Sequence, residues 1–226
     1  MATDNLVAFE EVWRLAALRS TGDRILIGID GAGGSGKSDF ANRLAGASKA
    51  GVRVVEMDDF YRELGQDAAR RDTSEAGALF DWRRLLQQVL DPAVRGEATS
   101  YQRFDWVTQR LADWIDVPED VHLIVEGVTT LRRELRSLFT LRIWVEAPRS
   151  VRLARGIARD GASEGWKWED VWIPAEDHYR VTHRPDQDVD MVVDGTTRAS
   201  GDPASFCALA VPVTGFAQRV KPVESE

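Results

Sequence analysis

The sequence predicts a three-layer α/β/α domain built on a mostly parallel sheet. Short unbroken apolar runs of the buried parallel-strand kind, amphipathic segments between them, and a glycine-rich turn leading from the first run into a helical segment carry that expectation. A length of 226 residues suits one domain, and 43% hydrophobic with 29% charged residues is ordinary globular usage, enough to bury a core.

In chain order, the apolar spacing predicts a helix over Leu6–Leu18, broken by Ser20, Thr21 and Gly22. Arg24–Asp30 then reads as a buried strand, the segment from Gly36 to Ala45 as a helix, and Val52–Met57 as a second strand. Trp82, Leu85, Leu86, Val89 and Leu90 predict a helix over Asp81–Leu90 that Pro92 closes. Thr99–Val117 reads as a hairpin or lid. Further on, strands are predicted at His122–Gly127, Leu141–Val145 and Val189–Val193, with helices over Leu131–Leu138, Arg149–Arg159 and Glu169–Arg180. Phe206–Val211 is one more apolar element, and Lys221–Glu226 reads as a frayed tail.

Composition narrows the function classes. The longest apolar runs fall far short of the roughly 18 residues of a membrane span, and the N-terminus has no basic-then-apolar leader, so a soluble cytoplasmic protein is expected. With 29 basic against 37 acidic side chains, the net charge of −8 argues against a protein that chiefly neutralises nucleic-acid phosphates. A single cysteine, Cys207, allows neither an intrachain disulfide nor a thiolate metal cluster, and three histidines make a zinc site an unfavoured reading.

The strongest motif is Gly31-Ala32-Gly33-Gly34-Ser35-Gly36-Lys37-Ser38, a full match to G-x-x-x-x-G-K-[ST] between a predicted strand and a predicted helix. The glycines let successive N–H groups curl around a polyphosphate, and the following helix points its positive end there. Lys37 is expected on the β- and γ-phosphates and Ser38 on Mg²⁺; ATP and Mg²⁺ are thus the expected cofactors. A chance glycine turn would not bring both flanking elements with it. No guanine-reading N-K-x-D and no transporter-type L-S-G-G-Q occurs.

Met57-Asp58-Asp59-Phe60-Tyr61 ends the second strand and Glu126-Gly127 the next apolar one, so three carboxylates are expected at the edge where parallel sheets bind ligands. Such groups orient a metal or take a proton from an attacking hydroxyl, although Asp58 or Asp59 could instead cap the turn. Trp168 and Trp172, four apart, are expected to pack into the core rather than stack on a ligand, and Glu176 and Tyr179 carry the same two readings. His178 and His183 are expected to be surface or capping groups.

These pieces, with Phe80-Asp81-Trp82, Arg103-Phe104-Asp105, Arg152-Leu153-Ala154-Arg155 through Arg159-Asp160, and Asp190–Val193, resemble the uridine kinase-like branch of the P-loop kinases, the phosphoribulokinase/uridine kinase group. The resemblance spans residues 24–195 and implies a P-loop domain over 23–195, with a hairpin lid at 99–117 and an arginine lid at 149–165, an N-terminal helix in 1–22 and an extension over 196–226. By the same resemblance Asp58 is the catalytic base and Glu126 a metal-associated carboxylate. Tyr61, Asp81 and Phe104 line the acceptor pocket, and Arg155 and Arg159 close over the phosphates. Its partners would be a nucleoside triphosphate and a small hydroxyl-bearing metabolite, first of all a nucleoside. The base-reading histidine of the family's nucleoside kinases has no counterpart in Phe104–Gln109, and Phe104 replaces a tyrosine. A kinase for a non-nucleoside acceptor, or a nucleotide-binding regulator with a degenerate acceptor site, are the alternatives.

Overall fold

The computed structural model describes residues 5–63, 76–196 and 203–210. These form a seven-stranded sheet in the order β1-β9-β8-β7-β2-β6-β3 and a separate two-stranded hairpin. The strands are β1 (Asn5–Ala8), β2 (Leu26–Asp30), β3 (Val52–Glu56), β4 (Thr99–Asp105), β5 (Arg110–Val117), β6 (His122–Glu126), β7 (Leu141–Glu146), β8 (Met191–Asp194) and β9 (Ser205–Ala210). The central five, β3-β6-β2-β7-β8, pair in parallel, whereas β9 and β1 extend the sheet antiparallel. The expected α/β architecture is therefore present.

Period-two side-chain alternation divides the core between the two faces. Ile25, Ile27 and Ile29, with Ile143 and Val145, pack under helices α1 (Phe9–Arg19) and α2 (Lys37–Gly46). Leu26, Leu123, Val125 and Val55 face the opposite way, against helix α3 (residues 82–94) and the root of the hairpin. Helices α4 (Arg149–Asp160) and α5 (residues 165–183) follow β7 and pack against each other.

Four sequence expectations need correction. Leu6 and Val7 lie in β1, not in the first helix, because β9 offers them a ladder from some 200 residues away, Leu6 opposite Cys207 and Val7 opposite Phe206. Pro92 does not close the third helix: a π-helical segment, Leu86–Leu90, precedes it, and the wider turn accommodates a ring that an α-turn would reject. Leu131–Leu138 is a chain of turns ending in a 3₁₀ turn, Arg136–Leu138. Two of its N–H groups are taken by side chains, Leu131 by Asp30 Oδ2 at 2.8 Å and Arg133 by His183 Nδ1 at 3.2 Å, while others close turns on nearby carbonyls. His183 thus caps that segment as expected, but from a buried position. Residues 162–183 run helically around a π-helical segment, Trp168–Trp172, so the tryptophan-rich helix is longer than predicted. The tail at Lys221–Glu226 lies outside the described residues. Among the described residues no helix is long and apolar enough to cross a membrane.

Candidate active site

The turn from β2 into α2 holds Gly36 at φ 101°, a left-handed conformation that opens the N-terminus of α2 for the loop to wrap. Above it lies a cavity of about 700 Å³ lined by Gly33, Gly34, Gly36, Lys37 and Ser38 from the loop. Asp58 and Tyr61 from the turn after β3, Glu126 from the end of β6, and Arg155 and Arg159 from α4 wall the same cavity. Thus the loop, the carboxylates and the two arginines converge, although they come from segments far apart in sequence.

Gly31, Ala32 and Ser35 form the loop's framework and do not line the cavity among the described residues. Ser35 N–H donates to the Ala32 carbonyl at 3.1 Å, and Lys37 Nζ donates to the same oxygen at 3.0 Å. Asp81 and Phe104 likewise stand back. Asp81 caps α3, its carboxylate accepting the Arg84 N–H at 3.1 Å, because the helix start leaves that donor without a backbone partner. Phe104 is buried behind the wall, its ring 5.5 Å from Tyr61 and 5.2 Å from Trp106.

The carboxylates differ in character. Asp58 opens to the water of the cavity yet sits deep among protein atoms, so desolvation raises its pKa, opposed by the positive charges of Lys37 and Arg159. Glu126 is buried and raised by the same cause, with Lys37 and the hydroxyl of Ser38, which donates to it, pulling the other way. Ser38 and Glu126 are hard oxygen donors beside a phosphate loop, a set that fits Mg²⁺, which takes one or two carboxylates and completes its shell with phosphates and water. No cluster of three or more candidate metal ligands occurs among the described residues.

Arg149, Arg155 and Arg159 stay on an exposed face of α4, as the solvated-face reading expects, and Arg152 alone of the four is buried. Arg155 Nη1 donates to the carbonyls of Gly34 at 3.1 Å and Gly195 at 2.9 Å, tying α4 to the loop. Arg159 pairs with Asp160 and acts electrostatically on Asp58. Arg152 turns inward to a buried pair with Glu176 at 3.1 Å, and the other oxygen of Glu176 accepts the Gly33 N–H at 2.9 Å. On the tryptophan-rich helix the packing reading holds for Trp168. Trp168 is buried against Gly156, and yet Trp168, Trp172, Glu176 and Tyr179 all reach the cavity.

Sequence reasoning missed part of the wall. Phe80 and Trp106 line it, Trp106 lying 4.6 Å from Tyr61, and the signals were their places beside Asp81 in Phe80-Asp81-Trp82 and directly after Arg103-Phe104-Asp105. Thr129, also in the wall, holds φ 76°, a genuine outlier for a β-branched residue, and no sequence signal marks it.

Residues 26–188 match the family model described as Phosphoribulokinase / Uridine kinase family. The chain is 29% identical over 166 residues to a uridine kinase of Halobacterium salinarum, covering 70% of this chain and 71% of that protein. It is 31% identical over 157 residues to a uridine kinase of Brevibacillus brevis, covering 66% and 72%. Among solved structures, one titled a possible uridine kinase from Bacillus stearothermophilus superposes with TM-score 0.63 at 21% identity, over 81% of this chain and 97% of that one, a likeness of fold. With the family model spanning well over half of the residues, the chain belongs to the phosphoribulokinase/uridine kinase family.

Proposed function

We propose that the chain is an ATP-dependent phosphotransferase acting on a hydroxyl of a small metabolite, with a nucleoside or similar ring-bearing alcohol as acceptor. The observation that carries this reading is that Asp58 shares one cavity with Lys37 and the loop on one side and with Tyr61, Phe80 and Trp106 on the other. A γ-phosphate on the loop and a ring against the aromatic wall would leave the acceptor's hydroxyl beside Asp58. Uridine kinases among the relatives support a nucleoside-like acceptor.

In this reading Asp58 accepts the proton of the attacking hydroxyl. Desolvation raises its pKa, which makes it a stronger base than an ordinary aspartate. The loop N–H groups and Lys37 hold the β- and γ-phosphates, and Arg159 and Arg155 supply fixed positive charge where negative charge spreads. Ser38 and Glu126 would hold Mg²⁺, which when bound offsets the charge of the polyphosphate. Trp168 and Trp172 help keep water from the transferring group.

A second reading, an acceptor without a nucleobase, is favoured by one feature: Phe104–Gln109 carries no histidine where, by the resemblance to the family's nucleoside kinases, one would read the base. ADP release from Mg·ATP, measured with and without pools of nucleosides and of small alcohols, separates the two. Asp58→Asn is expected to bind Mg·ATP as the parent does and to lose acceptor-stimulated release by at least about a hundredfold, the lower range of general-base contributions. Full turnover by Asp58→Asn would remove that residue from the base role, and tight nucleotide binding with no stimulation by any pool would favour a nucleotide-binding regulator.

A further inference from the structure

We propose that Arg84 is the positioning residue that sets Asp58, by locking the turn that carries it to the hairpin; this rests on the phosphotransfer reading above. Arg84 lies in the first turn of α3, and its guanidinium donates to three backbone carbonyls. Nη2 reaches Asp59 at 3.0 Å and Tyr61 at 3.3 Å, and Nη1 bonds Gln102. The first two carbonyls lie just after Asp58, one inside its turn and one at the turn's end; the third belongs to β4.

The site is built for that fork. The Arg84 side chain is 10% exposed, with the Asp81 carboxylate 4.0 Å from Nε and the Phe60 ring centroid 4.9 Å from the guanidinium carbon. A planar group with five donors in fixed directions bridges carbonyls from two of its nitrogens at once, a span that the single nitrogen of a lysine does not reproduce. A second tie runs in parallel: Tyr101 of β4 donates its hydroxyl to Asp59 Oδ2 at 3.1 Å and stacks on Phe60 at 5.2 Å. The Met57–Phe60 turn is therefore held from α3 and from the hairpin, and Asp58, in its middle, takes its direction from these neighbours. The base and Trp106, which the same hairpin carries into the cavity wall, belong to one braced unit.

Catalysis by positioning is steep in distance, a misplacement of about 1 Å costing on the order of a hundredfold. Arg84→Gln is expected to lower kcat by roughly tenfold to a hundredfold while the dissociation constant for Mg·ATP, set by the loop, stays within about twofold. Arg84→Lys, which keeps the cation and reaches one carbonyl, is expected to recover part of the loss. Because Arg84 acts through Asp58, adding Arg84→Gln to Asp58→Asn should cost nothing further.

An Arg84→Gln enzyme as fast as the parent, or losses that multiply in the double variant, overturns the proposal. So does loss of Mg·ATP binding with Arg84→Gln, which would make the residue a prop of the fold as a whole. A parent protein inert toward every acceptor overturns the phosphotransfer reading and the proposal with it, whereas an active parent with an unaffected variant overturns the proposal alone.

Discussion

Asp30, the residue before the loop, is fully buried and accepts three hydrogen bonds: Gly31 N–H at 2.6 Å, Leu131 N–H at 2.8 Å and the Tyr179 hydroxyl at 2.6 Å. It thereby joins β2, the segment after β6 and helix α5 at one point beneath the loop. Burial nevertheless pushes its pKa up to about 6, from an ordinary 3.8, against the pull of those bonds and of Lys37. Below about pH 4 the carboxyl is protonated folded and unfolded, and its contribution is fully present. As pH rises through about 6 the folded group must ionise in its buried place, and stability falls by about 3 kcal/mol between the two limits. Asp30→Asn carries a constant cost, because an amide nitrogen then meets one of the three donors, but it does not titrate. Urea unfolding at about pH 4 and pH 7 should therefore show a larger loss of stability on raising pH in the parent than in Asp30→Asn; parallel behaviour would place the titration elsewhere. Asp30 belongs to a strand run readable in the sequence, yet its partners do not, since nothing local ties it to residues some 100 and 149 positions away. The same limit hid Arg84 and Trp106 and misplaced Asp81 and Phe104. Lys37, Ser38, Asp58 and Glu126 were readable because the loop motif and the strand ends fix where the backbone must point.

The elements divide along the same line. β2, β6 and β7 are apolar runs whose burial needs no partner to be known, β3 is an edge strand with only Val55 buried, and α2 and α4 are announced by the loop and by their spacing. β1 was read as helix and Leu131–Leu138 as helix because, in both, a distant group supplies the decisive hydrogen bonds. The contact between α4 and α5 was equally hidden, and it has a measurable consequence. A Cβ on Gly156, within α4, would stand 2.3 Å from Trp168 Cε2, and the same indole lies 2.9 Å from where a Cβ on Gly33 would be. Alanine in place of glycine gains up to about 1 kcal/mol of helix propensity, but overpacking against a large buried ring costs about 1–3 kcal/mol, and the second effect wins. The ring cannot yield toward Gly33 without pressing on the phosphate loop, so α5 must shift and with it the Glu176 contact to Gly33 N–H. Gly156→Ala is accordingly expected to lower Tm and to weaken Mg·ATP binding roughly tenfold, equivalent to about 1.4 kcal/mol, in a tryptophan-fluorescence titration. Unchanged affinity would show that the packing of α4 on α5 does not reach the loop.

Both ends of the described chain meet on one edge of the sheet, where β9 pairs with β8 on one side and β1 on the other. Under them Phe206 of β9 lies 5.0 Å from both Phe9 and Phe40, which are themselves 5.2 Å apart. Phe40 stands one turn into α2, three residues after Lys37. Arg43, on the same helix, lies over the Phe9 ring at 4.9 Å and donates to the carbonyls of Pro203 and Ser205. The far edge of the sheet thus braces the helix that opens at the phosphate loop. Phe206→Ala should leave a cavity at this three-ring junction and cost about 3–5 kcal/mol in denaturant unfolding, a large share of a domain's stability. Lys37 keeps its other supports, since Ala32, Arg155 and Glu176 hold the loop from the opposite side. The folded variant should therefore still bind nucleotide, and Mg·ATP at about 100 times its dissociation constant should add about 2.7 kcal/mol to the parent and to Phe206→Ala alike. A variant whose unfolding curve no longer moves with Mg·ATP would mean that the aromatic junction fixes the orientation of α2 itself, and that the terminal strands are part of the nucleotide site's support rather than only of the fold's.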